Sequence, residues 1–361
     1  MKFLQASNLG FENCGLASDP PSRWKVVTAD GQARTNADWA LVDENLHGNN
    51  PRMIRPPVLV IGSSNTDLII KAKRIPKPGE SILGGKFVRA AGGKGANQAV
   101  AAARAGGAVT FIARVGRDQN GEQALAGLSA DGINLSHVTR DPSNPSGVAL
   151  IFVGENGESS IAVDSGANDK LSPGNVRKAK DAFRIARIVL LQLESPLKTV
   201  MASVQLAAAA GVPVILNPAP AQPLPAQLLK RIYLLTPNEG EAESLTGVAV
   251  NSEAAAAKAA ERLLARGVQN VVITMGARGA FVAGKNVREF IPGLKVNAVD
   301  ATGAGDVFNG ALSVALAEGR SLLEAARFAS VAAAISVTRL GAQPSAPTRQ
   351  EIDAVLATGR I

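Results

Sequence analysis

The stretch Arg187-Ile-Val-Leu-Leu-Gln-Leu193 is an apolar run of strand length, and a second such run, Val212–Asn217, follows it. Between them lies Pro196–Ala210, an Ala-rich segment with the pattern of a helix. Short runs that are apolar along their whole length are typical of strands buried on both faces of a parallel sheet. A strand, a helix and a second strand in this order predict a βαβ unit.

The same alternation continues on both sides of this unit. Further buried strands are predicted at Val58–Gly62, Ile232–Thr236 and Val271–Met275, and further helices at Ala96–Ala105, Ser252–Gly267 and Asp306–Gly319. We therefore predict an α/β fold with a central, mostly parallel sheet flanked by helices on both faces. Ligands of such sheets bind at the carboxyl ends of the strands.

Two segments break the alternation of strands and helices. Residues 67–89 and 147–165 carry strand patterns with hairpin turns, notably Gly154-Glu-Asn-Gly157. These segments predict a small second sheet beside the main one.

The composition excludes several classes of protein. The chain has 361 residues and one cysteine, Cys14, so it has no intrachain disulfide and no Cys-based zinc site. It lacks the roughly 18 consecutive apolar residues of a membrane span and the pattern of a secretory signal, and we expect a cytoplasmic protein. The net charge of +8 is not concentrated in clusters with interleaved aromatic residues. We therefore expect no nucleic-acid partner, although the charge suits an anionic substrate.

Residues 1–55 differ from the rest, since they are polar, carry both Trp residues and show no sustained periodicity. We expect a disordered N-terminal extension, and residues 56–361 as the folded domain. A start codon placed too far upstream, with Met53 as the true start, and a small partner-binding segment are the alternatives.

The stretch Asp300-Ala-Thr-Gly-Ala-Gly-Asp-Val-Phe-Asn-Gly310 carries the clearest chemistry. Its glycines permit a tight turn, and the N–H groups of the helix that begins near Asp306 suit an anion such as a transferring phosphoryl group. Asp306 would then lie where a substrate hydroxyl approaches the phosphate and would accept its proton. On this stretch alone, a carboxylate that merely caps the helix is an equal alternative.

Three other stretches place polar groups next to predicted strands or helices. In Ala91-Gly-Gly-Lys-Gly-Ala-Asn-Gln98, glycines with Lys94 and Asn97 suit a polyhydroxylated substrate. In Thr236-Pro-Asn-Glu-Gly-Glu-Ala-Glu243, Asn238 and Glu241 share one face of a starting helix and are oxygen ligands suited to hydrated Mg²⁺. The turn Thr274-Met-Gly-Ala-Arg-Gly279 has the pattern of a loop that passes under a nucleotide. Each of these stretches could also be a simple cap or turn.

Six motifs in order resemble the PfkB, or ribokinase-like, family of carbohydrate kinases. They are Gly62-Ser-Ser-Asn-Thr-Asp67, Gly92-Gly-Lys-Gly-Ala-Asn97, Leu191-Gln-Leu-Glu-Ser195, Asn217-Pro-Ala-Pro220, Thr236-Pro-Asn-Glu239 and Gly303-Ala-Gly-Asp306. The resemblance runs from about Val58 to Leu356. It implies a small β-sheet lid, matching the two segments that break the alternation, and a homodimer formed through that lid.

The resemblance also implies the residues of the site, with Asp306 as catalytic base. The sugar would be held by Asn65, Asp67, Gly92, Gly93, Lys94, Asn97, Glu194 and Asp306. The nucleotide would be bound by Asn238, Thr274, Gly276, Gly279, Gly305 and Ser330, where the family more often has His or Asn at the last position. Glu241 would hold Mg²⁺ through water, and K⁺ would be bound by Asp300, Thr302, Ser336, Arg339, Gly341 and Ser345.

The hypothesis from the sequence is therefore phosphorylation of D-ribose at its 5-hydroxyl by MgATP, with K⁺ as a monovalent activator. Within the same family, a kinase of deoxyribose, of another small sugar or of a nucleoside is the alternative. From a different class, the chain could be a non-catalytic sugar sensor, against which the intact Asp306 argues.

Overall fold

The computed structural model describes residues 55–155, 158–359 and 361. Nearly all of the predicted N-terminal extension, residues 1–54, lies outside these described residues. The described part of the chain folds around two sheets of unequal size and a short two-stranded ribbon.

The large sheet has eight strands within the described residues, in the spatial order β14-β13-β12-β11-β10-β9-β1-β4. The strands from β4 through β12 in this order run parallel, whereas β13 and β14 form an antiparallel edge. The strands are β1 Pro57–Ile61, β4 Ala108–Ile112, β9 Ile188–Leu191, β10 Val214–Leu216, β11 Leu234–Leu235, β12 Asn270–Thr274, β13 Gly279–Gly284 and β14 Val287–Pro292.

The small sheet has the order β3-β2-β7-β8, where the central pair β2 and β7 runs parallel and the two outer pairs are antiparallel. It is formed by the two segments that break the alternation in the sequence. Its strands are β2 Asn65–Ala72, β3 Gly85–Gly92, β7 Gly147–Gly154 and β8 Ser159–Asp164, and the separate ribbon pairs β5 Arg114–Gly116 with β6 Thr139–Asp141.

Helices cover both faces of the large sheet. Those of the described residues are α1 Lys94–Arg104, α2 Gln119–Ala130, α3 Pro173–Lys178, α4 Lys180–Ile185, α5 Leu197–Ala209, α6 Ala226–Leu229, α7 Glu239–Thr246, α8 Glu253–Ala265, α9 Ala304–Ala317, α10 Leu322–Ser336 and α11 Arg349–Thr358.

Successive residues of the central strands point into two separate cores, as expected for a sheet buried on both faces. Val58 and Val60 pack among side chains of α1, α9 and α10, whereas Leu59 and Ile61 pack among those of α3, α5 and α8. The predicted α/β fold with a mostly parallel central sheet is therefore confirmed.

Small residues let helices α1 and α9 approach each other closely. A Cβ atom on Gly310 would lie 2.6 Å from the Ala101 side chain and 2.7 Å from the Gln98 carbonyl oxygen, so only glycine fits there. This close packing brings the first turns of both helices together, and the site is built around them.

Candidate active site

The carboxyl ends of β1, β9, β10 and β11 and the first turns of α1 and α9 meet at one edge of the large sheet. In the sheet order, β1 lies between β4 and β9, so the chain proceeds from β1 to one side and later returns to the other. A crevice forms where the order of strands reverses in this way, and ligands of α/β proteins bind there. Asp306 lies in this crevice.

Asp306 is the third residue of α9, is 7% exposed and receives a hydrogen bond on each carboxylate oxygen. Asn97 donates from Nδ2 to Oδ2 at 3.0 Å, and Gln98 donates from Nε2 to Oδ1 at 2.9 Å. Burial raises the pKa of Asp306, and the charge of Lys94 and the two amide donors oppose this effect. The carboxylate is thus held in place in a setting that favours proton uptake.

The turn before Asp306 differs slightly from the prediction, because the helix begins at Ala304 rather than near Asp306. Gly303 precedes it with a φ of 77°, a conformation that favours glycine. The N–H group of Ala304 donates to the Ala301 carbonyl at 3.2 Å. The N–H groups of Gly305 and Asp306 remain in the first helical turn, where they have no helical acceptor and can receive an anion.

The predicted sugar-binding residues gather on the other side of this crevice. Glu194 accepts hydrogen bonds on Oε2 from the Ser63 hydroxyl at 2.6 Å and from the Lys94 N–H at 3.0 Å. Its other carboxylate oxygen accepts no hydrogen bond from the described residues and could accept one from a ligand. Gly92 makes room for Asp67, since a Cβ atom on Gly92 would lie 2.3 Å from the Asp67 carboxylate. Gly93, the residue before α1, is the N-cap of that helix.

Asn65 has a defined orientation at the start of β2. Asn168 donates from Nδ2 to Asn65 Oδ1 at 2.8 Å, and is itself fixed by the Ser64 N–H, which donates to Asn168 Oδ1 at 2.9 Å. The Asn65 amide therefore turns its N–H groups away from this contact. They reach no acceptor in the described part of the chain and can be donated to a ligand oxygen.

The electrostatics of the crevice depend on one ammonium group, that of Lys94, and on the four carboxylates that act on it. These carboxylates belong to Asp67, Glu194, Glu241 and Asp306. Burial, together with the charges of Glu194 and Asp306, raises the pKa of Asp67 to about 6. Burial also raises the pKa of Glu241. Although burial opposes it, the charges of Asp306 and Glu194 raise the pKa of Lys94, which remains an ammonium. An anionic phosphate is thus met by Lys94 and by helix N–H groups.

The predicted nucleotide residues lie at the ends of β11 and β12. Asn238 caps α7 reciprocally with Glu241, since Asn238 Oδ1 accepts from the Glu241 N–H at 2.8 Å and Glu241 Oε2 accepts from the Asn238 N–H at 2.9 Å. The backbones of Asn238 and Thr274 also pair in an isolated parallel β-bridge. Gly276 and Gly279 have positive φ angles of 54° and 120° in the turn that follows β12.

Ser330 lies on α10, the helix that packs against β13 and β14. Its hydroxyl donates to the Ala326 carbonyl at 2.9 Å. The structure thus gives this side chain an acceptor within its own helix.

Two loops form the predicted cation site. The Asp300 carboxylate accepts hydrogen bonds from the Thr302 N–H at 2.9 Å and from the Gly341 N–H at 2.9 Å. Although burial opposes it, a hydrogen bond from the Thr302 side chain, together with these two backbone hydrogen bonds, holds the pKa of Asp300 below its ordinary value. A Cβ atom on Gly303 would lie 2.7 Å from the Ala342 side chain, so the turn before Asp306 rests directly on the second loop.

Other side chains of the predicted cation site already have partners. Ser336 and Ser345 are buried, and each hydroxyl donates at 2.8 Å to the carbonyl three residues upstream. Arg339 forms an ion pair with Glu351 at 2.5 Å. A cation here would therefore be held by carbonyl oxygens, which suits K⁺. No group of three or more His, Cys, Asp or Glu side chains suited to a metal ion occurs within the described residues.

Sequence reasoning assigned no role to several buried polar side chains of the site. Gln98, Gln192, Asn217 and Asn168 are all 7% exposed or less. Each of the first three stands in or next to a motif already quoted, but the hydrogen bonds that link Gln98 to Gln192 and to Asn217 join residues more than 90 positions apart. A polar residue at the end of an apolar strand, such as Gln192 or Asn217, is the signal that could have found them.

Among the helices of the described residues, none combines the length and the hydropathy needed to cross a bilayer.

Comparisons with known proteins identify relatives along most of the described chain. The profile of a family described as pfkB family carbohydrate kinase matches residues 56–349. A ribokinase of Haemophilus influenzae is 46% identical over 298 residues, which are 82% of this chain and 97% of that protein. A deoxyribokinase of Salmonella typhi is 36% identical over 301 residues, which are 83% of this chain and 98% of that protein.

A solved structure shares this architecture. The structure of Arabidopsis thaliana ribokinase complexed with ribose and ATP aligns with a TM-score of 0.79 at 34% identity. The alignment covers 84% of this chain and 99% of that one.

Proposed function

The chain belongs to the pfkB family of carbohydrate kinases, and we propose from this that it transfers the γ-phosphate of ATP to the 5-hydroxyl of D-ribose. The observation that carries the proposal is the crevice itself. Asp306, a buried carboxylate, lies there between the N–H groups of a helix start and side chains that we propose to bind the sugar hydroxyls. The single cysteine of the chain agrees with the cytoplasm, where we place the reaction.

The sugar would bind between β2 and the first turn of α1. Asp67, as a carboxylate, can accept hydrogen bonds from two adjacent hydroxyls, and Asn65 can donate to a further hydroxyl oxygen. The free oxygen of Glu194 accepts another. Together with Lys94 and the glycines at 92 and 93, these groups would direct the 5-hydroxyl toward Asp306.

Asp306 would then act as the general base. As the 5-oxygen forms its bond to the γ-phosphorus, its proton passes to an Asp306 carboxylate oxygen, and the bond from phosphorus to the bridging oxygen of ADP breaks. The negative charge on the phosphoryl oxygens is stabilised by the N–H groups of Gly305 and Asp306. Asn97 orients the base, and closure of the small sheet over the crevice would exclude water.

The nucleotide would lie along the ends of β11 and β12. Asn238, Thr274 and the turn of Gly276 and Gly279 would line its site, with Ser330 nearby on α10. When bound with ATP, Mg²⁺ neutralises charge on the phosphate oxygens. Both Glu241 oxygens already accept hydrogen bonds from Asn238, at 2.9 and 3.0 Å, so Glu241 would hold the ion through its waters.

The loops of residues 300–302 and 336–345 would hold K⁺. The donor set consists of backbone oxygens around the Asp300 carboxylate, whose pKa is lowered. Such a set fits a large monovalent cation better than Mg²⁺. Since Gly303 rests on Ala342, order in the second loop supports the turn that receives the phosphate. We therefore propose K⁺ as an activator.

A sugar panel in an ADP-release assay tests the proposed function. Ribose should exceed 2-deoxyribose by about tenfold to a hundredfold in kcat/KM, because a donor left unpaired in a closed site costs about 1–3 kcal/mol. Asn65→Leu should remove most of this preference, since it deletes the donor. ADP release that is no faster with ribose than with deoxyribose, fructose or adenosine would contradict the assignment. Repeating the assay with Na⁺ in place of K⁺ tests the cation site.

We also propose a homodimer formed through the small sheet. Phe87 and Ile161 are 61% and 59% exposed, and all of β8, at the edge of this sheet, is exposed. An exposed apolar sheet with an open edge is a surface that soluble proteins normally cover.

Sedimentation of Ile161→Asp tests the dimer. Wild type should sediment at twice the 37.0 kDa of one chain, and the variant at a single chain mass, since a charge desolvated in an interface is strongly unfavourable. Ile185→Asp is the matched control, because Ile185 is 70% exposed but lies on α4, outside the small sheet. A monomeric wild type, or equal behaviour of the two variants, would refute the lid dimer.

A further inference from the structure

We propose that Gln192, for which the described residues show no hydrogen bond to Asp306, is a positioning residue for the base because it holds the Gln98 amide in place. The inference rests on the proposed function, since it concerns how Asp306 is kept ready to accept a proton. It follows from a chain of amide hydrogen bonds that are buried behind the crevice.

Only one orientation of the Gln98 amide lets its oxygen and both of its N–H groups form hydrogen bonds. Both of its N–H bonds are donated, one to Asp306 Oδ1 at 2.9 Å and one to Asn217 Oδ1 at 3.1 Å. Its carbonyl oxygen accepts from Gln192 Nε2 at 2.6 Å. If the amide were rotated by half a turn, its oxygen would face the Asp306 carboxylate and the Asn217 oxygen, while its N–H groups would face those of Gln192.

The two neighbours of Gln98 are themselves fixed. Asn217 donates from Nδ2 to the Thr236 carbonyl at 3.1 Å, which determines that its oxygen faces Gln98. Gln192 is 1% exposed at the end of β9, and a Cβ atom on Gly62 would lie 2.1 Å from its Oε1, so the Gln192 amide packs directly against the backbone of Gly62.

Gln192 adopts its orientation at a free-energy cost. Within the described residues, its Oε1 atom is buried without a hydrogen-bond partner. Such an orphaned oxygen is unfavourable. The arrangement therefore gives up one hydrogen bond at Gln192 and keeps its N–H group on the Gln98 oxygen, which holds the Gln98 amide in place beside the base.

A donor on Asp306 has a direct chemical consequence. Hydrogen bonds to the charged form of a carboxylate lower its pKa, and here they oppose the rise caused by burial. Without the Gln192 contact, the Gln98 carbonyl oxygen loses its donor, and the side chain can shift and weaken the hydrogen bond that it donates to Asp306. The pKa of the base then rises, and less of it is ionised near neutral pH.

The test is the pH dependence of kcat at saturating ribose and ATP. Gln192→Met, of similar volume, should shift the acidic limb of the kcat–pH profile to higher pH by about one unit. Gln98→Met should shift it in the same direction. The double variant Gln98→Met/Gln192→Met should show no shift beyond that of Gln98→Met alone, because Gln192 acts only through Gln98. The KM for ribose should stay within about twofold of wild type in Gln192→Met, because a change confined to the proton-transfer step lowers kcat and kcat/KM equally.

Gln222→Met is the matched control, because Gln222 is a partly buried glutamine that donates at 3.4 Å to the Leu193 carbonyl and has no bond to this chain of amides. Should Gln192→Met not fold, Gln192→Asn replaces it, since it keeps an amide that is one methylene too short to reach Gln98. An unshifted limb in the folded Gln192 variant, or an equal shift in Gln222→Met, would overturn the inference. Failure of the proposed function is distinct, because wild type itself would then release no sugar-dependent ADP.

Discussion

Asp306→Asn is expected to lower kcat by about 10²–10⁴, the range that general-base catalysis contributes. The amide that replaces the carboxylate cannot accept the proton of the substrate hydroxyl. It also presents N–H groups toward Asn97 or Gln98, which are themselves donors to this position. The measurement is the steady-state rate of ADP release at saturating ribose and ATP.

Binding of the sugar should largely survive this change, because the other residues proposed to bind its hydroxyls remain. Titration calorimetry with ribose should give a dissociation constant within about tenfold of wild type. A variant that keeps more than about a tenth of the wild-type kcat would show that Asp306 is not the base. A variant that loses ribose binding as well would show that weaker binding, rather than loss of the base, accounts for the lower activity.

Asp67→Asn should have the second largest effect and should lower kcat/KM for ribose by about 10²–10³. Hydrogen bonds to a charged acceptor contribute about 1.5–3 kcal/mol each, and an amide offers a single neutral acceptor in place of two charged ones. For wild type, the pKa of about 6 predicts that kcat/KM falls as the pH drops below 6, because protonated Asp67 is a poorer acceptor.

The same substitution should make the folded protein more stable at pH 8. The pKa of Asp67 is raised from 3.8 to about 6, so the folded state binds this proton more tightly than the unfolded chain does. Stability therefore falls as the pH rises from about 4 to 6 and stays lower above that range, by at most about 3 kcal/mol. Asn carries no charge to desolvate, and urea unfolding at pH 8 should show a higher free energy for Asp67→Asn.

The matched control is unfolding of the same two proteins at pH 4. There wild-type Asp67 is largely protonated when folded, and the difference between the two should shrink. A loss of stability at pH 8 would mean that the Asp67 charge is compensated in the absence of sugar, against the raised pKa.

The α/β fold could be predicted because each apolar run is both short and uninterrupted. Such a run fits a strand covered on two faces, and the Ala-rich segments between the runs fit the helices that cover it. The first and last residues of each strand could be predicted less well. At Ile232–Thr236 the predicted strand has only the two residues Leu234–Leu235 in the ladder, since burial extends beyond the hydrogen-bonded pairs.

The geometry around Asp306 could be predicted only in part. The glycine turn and the start of the helix that carries Asp306 follow from local sequence, whereas the contacts of Gln98 follow from how helices and strands pack. Gln98 and Asp306 are 208 positions apart, and no local pattern shows that an amide will face a carboxylate. Such contacts depend on the crossing of α1 and α9, which the glycine at 310 sets.

The distance along the chain between the groups around Asp306 has a consequence for biosynthesis. Asn97 contacts Asp306, and its own Oδ1 accepts from Gln343 Nε2 at 3.2 Å across 246 positions. A chain emerging from the ribosome therefore cannot complete this enclosure until it has been synthesised beyond Gln343. We expect nascent chains to consume no ATP, and their unfinished Ala-rich helical layer to be a target for chaperones until α10 and α11 have docked.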